Sequence, residues 1–134
     1  MRVTVASVLT ALVTACAGAN HAGPCGEGFC LPPDAQLLSK RTPVEDFNLY
    51  QVAWHGARFT IYEGNYPRGL DDGGGTAIEL PDRRAGTLRV VGGRGSVVFD
   101  TLSKWPAYVH VMGPCQSTKN CQVKSLALEL RLRP

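Results

Sequence analysis

The residues best equipped for chemistry in this chain are five cysteines, three histidines and eleven carboxylates, and their spacing decides what each can do. Cys25 and Cys30 have four residues between them, and Cys115 and Cys121 have five. Structural zinc sites favour roughly two to four residues between paired ligands, so these pairs sit at or beyond the limit. Neither pair is the two-residue-spaced motif of a redox centre. Disulfides are the expectation, and four cysteines allow three pairings. The run Cys115-Gln116-Ser117-Thr118-Lys119-Asn120-Cys121 lies between two strand-like segments whose ends should already be close. Cys25-Gly26-Glu27-Gly28-Phe29-Cys30 holds enough glycine to bend back on itself. Local pairing is the expectation; bridges from 25 and 30 to 115 and 121 are the alternative.

The other candidates for catalysis thin out on inspection. His21, His55 and His110 have no second ligand at metal-binding spacing. His55 stands before Gly56 in a turn, and His110 in a strand. Asp71-Asp72 beside Gly73, with Glu63 and Asn65 nearby, offers oxygen atoms but not the alternating ligands of a calcium loop. Gly73-Gly74-Gly75 and Gly92-Gly93-Arg94-Gly95 lack the lysine-serine ending of a phosphate loop, and no glycine-x-serine-x-glycine elbow occurs. No metal, cofactor or catalytic set is expected. Tyr62-Glu63-Gly64-Asn65-Tyr66-Pro67-Arg68-Gly69 leaves a strand into a long glycine-rich loop carrying residue types favoured in recognition. Tyr62, Asn65, Tyr66 and Arg68 are its binding candidates. Trp105, in Lys104-Trp105-Pro106-Ala107-Tyr108, stands near a strand start, where a tryptophan is more often core than contact.

These residues must be positioned by β-structure. Segments 49–54 and 57–62 alternate around His55-Gly56, a two-residue turn with glycine second. That turn pairs Trp54 with Ala57, Val52 with Phe59 and Tyr50 with Ile61. All six are apolar and share one face, whereas a slip of one residue would scramble both faces. Further strands are expected over 76–80, 87–91, 96–101 and 107–112. A last one is expected where Leu126, Leu128, Leu130 and Leu132 alternate. Pro32-Pro33-Asp34 is read as opening a short helix through Leu38. The expected fold is mainly β, a small antiparallel sandwich or barrel of about seven strands.

The N-terminus supplies an address. Arg2 is followed by the uncharged run 3–13, too short to span a bilayer but right for a secretory signal peptide. Val13-Thr14-Ala15-Cys16 resembles the lipobox of bacterial lipoproteins, with valine in place of the commoner leucine. The resemblance is confined to the targeting segment. It implies diacylglycerol transfer to the Cys16 thiol, cleavage after Ala15, and acyl chains that hold the protein on a membrane at about 0.8 kcal/mol per buried methylene. Ala17 after the cysteine favours the outer membrane, facing the periplasm. Plain export to the periplasm or beyond is the alternative, since small residues also follow at 17–19. The divisions expected are a signal peptide at 1–15, a lipidated N-terminus and flexible tether at 16–46, and a β domain at 47–134.

Length and composition agree with one domain. The chain has 134 residues, 44% hydrophobic and 19% charged, and a net charge of +3, with no basic excess that would call for nucleic acid. The functional expectation is a membrane-anchored, non-enzymatic β domain that binds an envelope partner or assists assembly. The alternatives are an inhibitor of an envelope-targeting hydrolase, lysozyme or a protease, and a small hydrolase. The partner and the oligomeric state are left open by the sequence.

Overall fold

The computed structural model describes residues 23–44, 46–65, 74–81 and 84–133. In chain order these form β1 (Phe29–Cys30), β2 (Gln36–Val44), β3 (Phe47–Trp54), β4 (Ala57–Gly64), β5 (Thr76–Leu80), β6 (Arg84–Val91), β7 (Arg94–Asp100), β8 (Tyr108–Pro114), α1 (Gln122–Glu129) and β9 (Arg131–Leu132). The segment expected to be a signal peptide, Cys16, His21, Tyr66, Arg68, Asp71 and Asp72 lie outside the described residues.

Seven strands make one antiparallel sheet in the order β2-β3-β4-β8-β7-β6-β5, and β1 pairs separately with β9. The expected mainly β, antiparallel architecture is present, as one unclosed sheet whose edges are β2 and β5. The β3–β4 hairpin has the anticipated register, Trp54 opposite Ala57, Val52 opposite Phe59 and Tyr50 opposite Ile61. Its turn needs positive φ at both central positions, and His55 (47°) and Gly56 (75°) supply it. Gly92 and Gly93 do the same for the β6–β7 hairpin, at 58° and 76°.

Period-two alternation points one row of side chains inward from every central strand. Tyr50, Val52 and Trp54 meet Phe59 and Ile61, then Val109 and Val111, Val97 and Phe99, Leu88 and Leu80 in one buried cluster. No second full sheet covers this face among the described residues. The cover is α1, through Val123, Leu126, Ala127 and Leu130, together with Phe29, Leu31 and Ala35 of the N-terminal arm. Both disulfides are local, Cys25–Cys30 and Cys115–Cys121. Loops this short limit each to about 2 kcal/mol of chain-entropy stabilisation. The second bridge packs so closely on β7 that a Cβ at Gly95 would come 2.5 Å from that of Cys115.

Three expectations are corrected. The alternating leucines do not make a strand: 122–129 is helical, and only Arg131 and Leu132 are extended. Val123, Leu126, Ala127 and Leu130 fall on one helical face at i, i+3, i+4 and i+7, the competing period in the same letters. Cys121 caps the helix, its Sγ accepting from the Lys124 N–H at 3.4 Å. The short helix after Pro32 is absent, because 36–44 pairs with β3 as an edge strand. Lastly, 23–44 belongs to the fold and not to a tether, since β1 and β2 lie within it.

Candidate functional site

Antiparallel pairing gathers the start of β3, the end of β4, the end of β7 and the start of β8 at one end of the sheet. Phe47 lies opposite Gly64, Gly64 opposite Tyr108, and Tyr108 opposite Asp100. The loop 101–107 and the loop closed by Cys25–Cys30 therefore meet there. A Cβ at Gly28 would sit 2.7 Å from Pro106 Cγ and 3.5 Å from Thr101 Cγ2, so only glycine allows the approach.

Beneath this end lies Glu63, fully buried at 0% exposure. It shares the inward parity of Phe59 and Ile61 on β4, which is why it points into the core and not toward a calcium loop. Both carboxylate oxygens accept from the Glu27 backbone N–H, at 3.0 and 3.1 Å. Oε2 also accepts from the Gly28 N–H at 2.9 Å. Oε1 accepts from Asn48 Nδ2 at 2.9 Å and from the Tyr50 hydroxyl. Asn48 in turn accepts from the Thr42 hydroxyl at 2.6 Å. Burial first, then the hydrogen bond and charge of Glu63, push the Tyr50 phenol well above its ordinary range, so it remains a donor. A carboxylate sealed from water and saturated by donors holds the disulfide loop to the sheet; it has no free lone pair to offer a substrate.

Above it, the loop 101–107 is fixed by hydrogen bonds. The Thr101 N–H donates to Ala107 O at 2.8 Å. The Leu102 N–H donates to Asp100 Oδ1 at 2.6 Å, and the Ser103 N–H to Thr101 Oγ1 at 3.2 Å. The Thr101 hydroxyl itself donates to Pro106 O. Two contacts tie the loop to its neighbours: the Ala107 N–H donates to Asn65 Oδ1 at 3.2 Å, and Trp105 Nε1 to Asp46 O at 3.4 Å. At the tip Leu102 adopts φ 63° with 81% of its surface exposed, and Trp105 is 40% exposed. A left-handed backbone costs a leucine about 1–2 kcal/mol, and the apolar side chain gains no burial in return. Such a residue persists only where its surroundings over-determine it.

Of the binding candidates, Asn65 reaches this loop, whereas Tyr62 lies half-buried on the outer face against Phe47, ring centroids 5.4 Å apart. The length of the 65–75 connection has a topological cause. It must carry the chain from β4 past β8, β7 and β6 to the far edge, about 19 Å at ordinary strand spacing. Leu102 escaped the sequence reading because one leucine among turn formers carries no pattern; Glu63 left a signal in its parity with Phe59 and Ile61.

Two further polar groups lie elsewhere. Asp34 accepts from Trp54 Nε1 at 2.9 Å and lies 2.7 Å from His55 Nε2, while the His55 ring stacks on Trp54 with centroids 3.9 Å apart. The tryptophan hydrogen bond first, then His55, holds the Asp34 carboxyl below its ordinary range. This group ties the β3–β4 turn to the corner before β2. His110, opposite Tyr62 and Val98 on the outer face, is held below the usual imidazole range by burial. An open depression of about 410 Å³ is lined by Gly74, Gly75, Thr76, Leu88, Arg89, Val90, Val91 and Thr118, with no acid or histidine among the described lining residues. Among the described residues, no three metal-ligating side chains converge, and no helix is long and apolar enough to cross a membrane. No family model, curated protein or solved structure matches the chain.

Proposed function

We propose that the chain is a lipid-anchored lipoprotein of the bacterial envelope, outer-membrane and periplasm-facing, whose β domain works by binding and not by catalysis. The observation that carries the binding reading is the hydrogen-bonded tip at Leu102, an apolar side chain exposed to solvent at a backbone angle it disfavours. The anchor reading is supported by Val13-Thr14-Ala15-Cys16 after an apolar run. The saturated state of Glu63 also supports binding over hydrolysis, because the most deeply placed carboxylate of this end is committed to the fold.

The test has two parts. Intact mass of protein from a lipoprotein-processing bacterium should correspond to a chain starting at Cys16 and carrying acyl chains. The Cys16→Ser variant should remain uncut and unacylated. Normal processing of Cys16→Ser at Ala19 would remove the anchor from the reading. A second reading, inhibition of lysozyme or a protease, draws on the same tip, since a stiff loop suits insertion into an enzyme cleft. Stoichiometric loss of hydrolase activity on adding the protein, reversed by Leu102→Asp, would replace accessory binding with inhibition.

A further inference from the structure

We infer that the tip of the 101–107 loop is a membrane-contact element, with Leu102 and Trp105 seated in the interface of the bilayer that carries the acyl chains. The inference rests on the lipid-anchor reading and names what the binding end takes: a phospholipid surface.

The chemistry of the tip fits that occupant. Leu102-Ser103-Lys104-Trp105 places an exposed aliphatic side chain, an exposed ammonium and a partly exposed indole within four residues. Aliphatic groups enter the acyl boundary, tryptophan prefers the headgroup level, and lysine extends its charge toward phosphate while its stem stays apolar. The Trp105 N–H already has Asp46 O as its acceptor, so the ring can leave water without stranding its polar atom. The hydrogen bonds around Thr101 hold the loop's shape in advance, so little ordering is required on contact.

Chain length places the loop within range. Gly23 is five residues from Gly28, so the two are at most about 18 Å apart. Gly28 in turn lies against Pro106. Cys16 precedes Gly23 by seven residues, a reach of at most about 25 Å. An acyl anchor at Cys16 therefore confines the tip to the vicinity of the bilayer at high effective concentration, where a two-residue contact too weak to bind alone becomes populated.

The experiment uses the acylated full chain in a Trp54→Phe background, which leaves Trp105 as its reporter. The protein is reconstituted into phosphatidylethanolamine–phosphatidylglycerol vesicles, with and without brominated acyl chains. The expected result is co-flotation with the vesicles, a shift of Trp105 emission to shorter wavelength, and loss of most of its intensity with brominated lipid. Leu102→Asp, a substitution at an exposed position, should abolish the quenching while flotation persists. Flotation without quenching overturns the inference and leaves the anchor standing. Failure to float overturns both. Quenching that survives Leu102→Asp overturns the role of Leu102 in the contact. Cross-linking of the tip to an envelope protein, with Trp105 unquenched, overturns it in favour of a protein partner.

Discussion

At the scale of single residues, Glu63 carries the largest consequence. Four groups donate to it, and the bonds from the Gly28 N–H, Asn48 Nδ2 and the Tyr50 hydroxyl are buried. Glu63→Gln keeps the volume but turns an amide NH₂ toward donors, so it should lower stability by about 3 kcal/mol, read as a fall in the denaturant midpoint at constant slope. An unchanged midpoint would mean that the carboxylate does not pin the loop. Tyr50 illustrates the same economy of position: its ring packs edge-on against Phe29 at 5.2 Å while its hydroxyl serves Glu63. Leu102 is the opposite kind of residue, contributing nothing to the core and held out by its neighbours.

At the scale of elements, the helix α1 is the point where two patterns compete for the same letters. Leucines at 126, 128, 130 and 132 satisfy a strand, and Val123, Leu126, Ala127 and Leu130 satisfy a helix. The helix wins because it covers the open inner face of the sheet and starts at a cysteine already fixed by its disulfide. A strand would make Leu126 and Leu128 equivalent. The helix buries Leu126 completely and leaves Leu128 38% exposed. Leu126→Ala should therefore cost about 2–5 kcal/mol and Leu128→Ala about 0.5 kcal/mol or less, measured by thermal or denaturant unfolding. Equal losses would refute the helical assignment. The edges of the sheet show a different constraint. β2 carries Lys40, Arg41 and Pro43 and two register shifts, devices that discourage pairing with another strand.

At the scale of the whole molecule, the two ends of the described chain are fastened to each other. β9 pairs with β1, the Arg133 N–H donates to Gly28 O at 3.2 Å, and Arg133 Nη1 donates to Gly26 O at 2.8 Å. The C-terminal residues thus brace the same loop that Glu63 holds from below and that packs beside Pro106. Truncation after Leu130 should leave the seven-stranded sheet folded. It should raise amide exchange at 25–30 and speed reduction of Cys25–Cys30, both measurable by mass spectrometry. Unchanged protection would show that Glu63 holds the loop unaided.

Taken alone, the sequence determined what depends on neighbours along the chain. The β3–β4 register was legible because His55-Gly56 admits one turn and one slip would invert every face. Local disulfide pairing was favoured because short glycine-rich or strand-flanked loops keep their ends close. Tertiary structure alone decided what depends on contacts distant in sequence: the order of strands, the long passage from β4 to the far edge, and the pairing of 36–44 as an edge strand. It also decided the helical fate of the leucines, since two periods fit them locally and only the uncovered face of the sheet discriminates. The candidate site belongs to this second class. Glu63 meets Gly28 across 35 residues and Arg133 meets Gly26 across 107, and no local spacing encodes such contacts.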